Sequence, residues 1–174
     1  MKFRIASEND KKYYAKMAER KFPGAAKLFE GNIILARNNR VEIFKVSDEL
    51  LKIYKLLREY REPYCFSNFI GEATKKFRIS LMAIHEYVKL GKRIVRINEK
   101  AEQLFLYGRD VFSSSIVSHT NDFDEGDYVM VCNDKGEALG VGQAMAPAQI
   151  INELGDFIAV KNLMDLGWYL RHEE

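Results

Sequence analysis

Lysines, arginines and a few amphipathic aromatics are the residues whose types and spacing suggest chemistry here, and that chemistry is the gripping of a polyanion. Lys12, Lys16 and Arg20 recur every four residues, which on a helix makes a like-charge stripe that a bound anion would relieve. Lys75, Lys76 and Arg78 lead into an alternating apolar run, and strand alternation projects Lys76 and Arg78 together from one side of a sheet. Tyr64, Tyr107 and Trp168 carry rings on which unpaired bases stack. Each feature has a plainer reading beside it. Glu8 stands four residues ahead of Lys12 and Glu19 adjoins Arg20, so the first stripe also fits a solvated helix face. The second cluster fits an exposed strand face kept polar.

Catalysis finds less support in the residue pattern. His85, His119 and His172 are the histidines of the chain, and none has a second ligand type at metal spacing, so neither a metal nor a cofactor is expected. His119 lies near Asp122 and Asp124, and Ser113 to Ser115 offer hydroxyls, which are the ingredients of an acid-base pair or a hydrolase. The nucleophile elbow that would organise them is absent. Gly140-Val141-Gly142 lacks the third glycine of a dinucleotide loop and reads as room for a tightly curved strand. Cys65 and Cys132 match neither a disulfide framework nor a zinc spacing and read as buried thiols. Phe77, Phe105, Phe112 and Phe157 are assigned to the core. The chain is expected not to be an enzyme.

Charge tells more when divided than when summed. The net value over 174 residues is +2, yet residues 1–92 hold 20 Lys and Arg against 11 Asp and Glu, while residues 93–174 hold 7 against 14. Two oppositely polarised domains, 1–92 and 93–174, follow from this split and from a change in texture at the same place. No stretch approaches the ~20 apolar residues that cross a bilayer, and Met1-Lys2-Phe3-Arg4 has no apolar h-region behind it, so an intracellular, cytoplasmic protein without a membrane partner is expected.

The elements that must hold these residues are legible from periodicity. Ser7 with Asp10 three residues on resembles a capping box and opens a helix over about 8–21. Apolar runs at 33–36 and 41–46 flank Asn38-Asn39 as a hairpin. Ser47 caps a second helix whose Leu50, Ile53, Tyr54 and Leu57 share one face. Strands follow at 64–70 and 76–81, and then a third helix over 82–90 stopped by Gly91. Beyond it come short β-like runs at 94–97, 111–112, 128–132, 138–144, 157–160 and 168–170, with a helix at 99–107 closed by Gly108, the pattern of a small barrel or sandwich.

The stretch Ala101 to Gly108, followed by Glu125-Gly126-Asp127-Tyr128-Val129 and the Gly140-Val141-Gly142 strand, resembles a PUA domain, a small β-barrel with a short helix and a glycine-ended loop beside an RNA-binding groove. Together with Cys65-Phe66, Lys76-Phe77-Arg78-Ile79 and the closing Asp165 to Glu174 segment, it is similar to the Nip-seven type of large-subunit ribosome biogenesis factor, and the Arg-His-Glu-Glu tail suggests an archaeal member. The resemblance implies an α+β fold: an N-terminal α/β sandwich-like domain with a mostly antiparallel sheet, followed by a PUA barrel. It implies a non-catalytic RNA-binding role in pre-rRNA maturation, with single-stranded RNA and ribosome assembly proteins as partners and no DNA. In a eukaryote the location would be nuclear or nucleolar. A protein-interaction adaptor and an RNA-modifying enzyme are the alternative functions.

Within that resemblance the short helix ending at Gly108 would leave loop N–H groups free for a phosphate, with Tyr107 and Arg109 beside them. Lys161 and Arg171 resemble positions lining the PUA groove, or are surface residues tied to Asp165 or Glu173. The acidic balance of residues 93–174 departs from what an RNA-gripping barrel requires and turns attention to the cations of the first domain.

Overall fold

A computed structural model describes residues 2–153 and 155–171 of the chain. It divides into two compact units at Glu86/Tyr87, whereas charge and texture place the sequence boundary at residue 92.

The first unit is built on a five-stranded antiparallel sheet. In chain order it comprises β1 (Lys2–Ile5), α1 (Glu8–Glu19), a 3-10 turn (Ala25–Phe29), β2 (Asn32–Arg37), β3 (Val41–Val46), α2 (Asp48–Leu57), β4 (Phe69–Ala73), β5 (Phe77–Ile79) and the start of α3 (Leu81–Val88). The strands lie in sequence order, β1-β2-β3-β4-β5, because each connection returns to the neighbouring edge. Alternation sorts their side chains onto two faces. Phe3, Ile34, Ala36, Phe44 and Val46 meet Tyr54 of α2 and Phe66 on one face. On the other, Phe77 packs its ring against Phe22 and Phe29, which follow α1 in the chain.

The capping box opening α1 forms as the sequence predicts. The Asp10 N–H donates to Ser7 Oγ at 3.1 Å and the Ser7 N–H donates to the Asp10 carboxylate at 2.8 Å. Arg4 on β1 adds a bidentate grip at 2.6 and 2.8 Å, so one carboxylate caps the helix and ties it to the sheet. Arg4's hydrogen bonds are the largest reason that the Asp10 carboxyl titrates well below the usual carboxylate range.

The second unit folds around a six-stranded mixed sheet. Its elements are β6 (Ile94–Ile97), α4 (Glu99–Leu106), β7 (Val111–Phe112), a 3-10 turn (Ser113–Ser115), β8 (Ile116–His119), β9 (Tyr128–Cys132), β10 (Ala138–Ala144), a 3-10 turn (Ile151–Glu153), β11 (Ile158–Asp165) and α5 (Trp168–Arg171). The order β7-β11-β10-β9-β6-β8 wraps around Val95, Ile97, Phe105, Val129, Val131 and Val160, with α4 contributing Ala101 and Phe105. Gly140 and Gly142 on β10 let β11 come close. A Cβ on Gly140 would stand 2.2 Å from the Met164 carbonyl oxygen, and one on Gly142 2.2 Å from a Val160 methyl.

Several expectations are corrected. The strand expected at 64–70 begins only at Phe69, because Asn68 takes a left-handed conformation (φ 50°) that an extended strand cannot hold. Trp168 to Arg171 form a helical turn rather than a strand, and β1 and β8 are strands that periodicity missed, each only four residues long. Cys65 is exposed; Cys132 is buried, and burial pushes its thiol up to about 11. Phe77 and Phe105 are core, but Phe112 and Phe157 lie on the surface, Phe157 at 75 % exposure. Phe112 sits on the two-residue edge strand opposite Ile158, where its register turns it outward.

Two outcomes follow for α1. Ser7→Ala should lower the stability to urea by about 1 kcal/mol. The folded pKa of Asp10 is depressed, so its contribution is present above the ordinary carboxylate range and is lost as pH falls. The stability gap between the wild type and Asp10→Asn should therefore shrink on acidification from about pH 5 towards pH 2.

Candidate nucleic-acid interface

In the second unit a hollow of about 620 Å³ opens between the end of α4 and the β11–α5 link, lined by Gln103, Leu106, Tyr107, Leu166, Gly167 and Arg171. That volume lies within the range of small-molecule sites and admits a single nucleobase. Its walls are set by the way α4 ends. Gly108 takes φ 82°, its N–H donates to the Phe105 carbonyl at 2.9 Å, and the Arg109 N–H donates to the Leu104 carbonyl at 3.0 Å. This is a complete Schellman closure, which a glycine in the left-handed region permits without Cβ strain.

That closure corrects one expectation. The N–H groups of Gly108 and Arg109 are spent inside the turn, so they are not free for a phosphate. What the loop offers instead is its side chains: Tyr107 is 74 % exposed at the rim of the hollow, and Arg109 is exposed beside it.

The loop is held from below by a polar network. Asp165 is 3 % exposed and faces Arg171 in a bidentate pair at 2.9 and 2.9 Å. The same guanidinium donates to the Leu106 carbonyl, one of the orphan acceptors at the end of α4. The Asn162 side chain donates to the Phe105 carbonyl at 2.8 Å and to Asp165 at 3.2 Å, and its backbone N–H donates to Asp110 at 2.8 Å. Of the two roles open to Arg171, the structure shows the tie to Asp165; Glu173 and His172 lie outside the described residues. Lys161 precedes Asn162 on β11, opposite Gln143, and is exposed without an ion pair among the described residues. Tyr107, Gly108, Arg109 and Arg171 are thus gathered around one loop, while Lys161 stands on β11 next to Asn162 and is not brought to the loop by any contact among the described residues. Asn162 and Asp110, which hold it with Asp165, carry no periodic or motif signal of their own; Asp165 stands in the sequence only as the first residue of the closing segment and as a possible partner of Arg171.

The cations of the first unit separate into two places. Lys12, Lys16 and Arg20 are exposed along the solvent face of α1 and form no ion pair among the described residues; Glu19 instead caps the turn at Gly24 and Ala26, and Glu8 pairs with Lys11. Lys75 and Lys76 lie in the exposed β4–β5 turn, and Arg78 is on β5. Arg78 is partly neutralised, since it and Arg40 share Glu72 at 3.4 and 2.7 Å. Arg78 faces away from Phe77 and hence away from α1, so the two clusters lie on opposite faces of the sheet. A larger hollow of about 1100 Å³ lies between α2 and residues 60–67, where Tyr64 also sits. Its walls include Phe44, Leu50, Ile53 and Leu57, and its charged lining is Glu42, Arg61 and Glu62, one cation against two carboxylates.

His119, Asp122 and Ser113 have other partners. His119 Nδ1 lies 3.0 Å from the Thr120 carbonyl and its ring packs on Phe123, while Asp122 accepts from the Arg93 N–H and Asp127 from the Asp124 N–H. Ser113 is buried and donates to the Ile151 carbonyl. Among the described residues no group of three or more His, Cys, Asp or Glu is placed to hold a metal ion, and no helix is long and apolar enough to cross a membrane.

Residues 93–174 match a family model described as the UPF0113 PUA domain. A UPF0113 protein of Archaeoglobus fulgidus is 34% identical over 143 residues, covering 82% of this chain and 79% of that one. The protein named 60S ribosome subunit biogenesis protein NIP7 homolog of Xenopus laevis is 31% identical over 141 residues, covering 79% and 76%. Among solved structures, a PUA domain protein from Thermoplasma acidophilum superposes with a TM-score of 0.66 at 18% identity over 97% of both chains, which shows the shared fold.

The network under the loop makes a separable outcome. Asp165→Ala leaves the Arg171 guanidinium and the Asn162 amide facing an unfilled site and should destabilise the protein by on the order of 3 kcal/mol in chemical denaturation. Arg171→Ala should cost at least as much, because it leaves the buried Asp165 carboxylate without its cation.

Proposed function

We propose that this chain, which belongs to the UPF0113 PUA-domain family, is a non-catalytic RNA-binding factor in the assembly of the large ribosomal subunit. The observation that carries the reading is the 141-residue likeness to a 60S ribosome subunit biogenesis protein, a stretch too long to fit within either compact unit. The likeness therefore concerns the whole arrangement, not the PUA barrel by itself.

The physical chemistry of the second unit supports the same reading. A hollow of nucleobase size, a largely exposed tyrosine at its rim, and two cations without carboxylate partners among the described residues, Arg109 and Lys161, would supply a stacking surface and phosphate contacts. Arg171 positions the loop through Asp165 and Leu106, and its charge is committed there. RNA binding through few cations on an acidic unit calls for help from the first unit, whose Lys12, Lys16, Arg20, Lys75, Lys76 and Arg78 supply the excess positive charge. Ribosome assembly proteins would meet the acidic remainder of the barrel, and the site of action would be the cytoplasm in an archaeal cell.

An electrophoretic shift with single-stranded RNA tests this. Log affinity should fall steeply with log salt, Lys161→Ala should flatten that slope by roughly 0.7, and Tyr107→Ala should weaken binding by about 1–3 kcal/mol at constant slope. Absence of binding at low salt, or a flat salt response, would overturn the reading.

A further inference from the structure

We infer that the first unit carries a further RNA contact, in which Lys2 and Arg37 hold a backbone phosphate and Tyr13 stacks on an adjoining base. It rests on the RNA-binding reading above and adds a site on β1, β2 and α1. The starting point is the strand register. Lys2 on β1 stands directly opposite Arg37 on β2, and both are exposed. Phe3 and Ala36 point into the core with α2, so Lys2 and Arg37 project together from the other face, the one α1 shares with Arg4.

Like charges directly opposite on neighbouring strands repel and destabilise the pair. Among the described residues no carboxylate is paired with either member. Asp10, the carboxylate that α1 brings to this face, is already taken by Arg4 at 2.6 and 2.8 Å and by the Ser7 N–H and hydroxyl at 2.8 and 2.6 Å. Among the described residues neither Lys2 nor Arg37 forms an ion pair. A lysine on β1 by itself would be an ordinary guard of a sheet edge. Arg37 has no such role, because β2 is flanked by β1 on one side and β3 on the other.

The next residues on this surface favour a nucleic acid over a free anion. Tyr14 on α1 is half-buried, and Arg4, two residues from Lys2 and on the same face of β1, bonds to Asp10 of α1, so the cationic pair lies on the face that α1 covers. Tyr13 packs edge-on against Tyr14, with ring centroids 5.1 Å apart and an interplanar angle of 82°, and still leaves 61 % of itself exposed. A ring held by its neighbour but open to solvent is a stacking platform that loses little freedom on binding. Lys16 and Arg20 follow Tyr13 at i+3 and i+7, on one helical stripe. The surface thus runs from two cations through a fixed ring to two more cations, the alternation that single-stranded RNA presents in reverse as phosphate and base.

The test uses the full chain and a fluorescently labelled single-stranded RNA of mixed sequence. Three variants are compared with wild type: Lys2→Ala with Arg37→Ala, Tyr13→Ala, and Lys161→Ala as the reference for the second unit. The double variant should weaken binding about tenfold and flatten the salt slope by roughly 1.4, the value for two phosphates on a single strand. Tyr13→Ala should weaken binding about tenfold at unchanged slope. The ligand-free double variant should melt at the same temperature as wild type or higher, since a repulsion has been removed. If wild type binds RNA and Lys161→Ala weakens it, while the double variant and Tyr13→Ala bind like wild type, this site is wrong and the RNA-binding function stands. A wild type that does not bind RNA removes both. A double variant that melts early would show the pair to be structural and would also overturn the inference.

Discussion

The buried carboxylate of Asp165 is the constraint on which the binding surface of the second unit depends. Burying a charge is costly unless it is paired and hydrogen-bonded, and here the pairing is arranged so that the partner does a second task. Arg171 answers Asp165 with two parallel hydrogen bonds and turns its remaining donor capacity to the carbonyl at the end of α4. Asn162 completes the same arrangement from β11. The helix end, the strand and the terminal helical turn are therefore fastened at one point. The hollow beside Tyr107 is the space left between them.

This explains why the loop after α4 presents side chains rather than backbone. A Schellman closure satisfies the last carbonyls of the helix with the N–H groups that follow it, so a helix so well finished has no donors left over. An acidic unit that met RNA at such a place, as proposed, would work with few cations, each spared from an ion pair. Among the described residues Arg109 and Lys161 are spared; Arg171 is not. In the first unit the same distinction separates Arg78, which shares Glu72 with Arg40, from Lys12, Lys16 and Arg20, which face water alone. The number of arginines and lysines in a region is thus a weaker guide to phosphate contacts than the number whose neighbouring carboxylates are engaged elsewhere.

Asp10 illustrates the point from the other side. It caps α1, binds Arg4 and accepts from the Ser7 hydroxyl, and in doing so it is withdrawn from Lys2 and Arg37. A residue that reads in the sequence as a helix cap acquires an electrostatic consequence two strands away. Pattern reasoning reached the cap, because a capping box is local. It did not reach the cationic pair, because Lys2 and Arg37 are 35 positions apart and become neighbours only through the β1–β2 register.

The amino-acid sequence by itself determined what depends on near neighbours in the chain. The helices at α1, α2 and α4, the β2–β3 hairpin, the strands β6, β9 and β10, and the glycine that ends α4 all follow from periodicity, capping residues and turn residues within a few positions. So did the unequal division of charge. Only the tertiary structure decided which side chains are exposed and which charges are spent. Phe112 and Phe157 are as apolar as Phe105, yet an edge strand two residues long turns Phe112 outward and Phe157 lies in the bend before β11, while α4 carries Phe105 to the centre. Arg171 and Lys161 look alike as candidates in the sequence. They differ because a buried Asp165 lies in reach of one and not the other, and that reach is a property of packed elements, which no local pattern encodes.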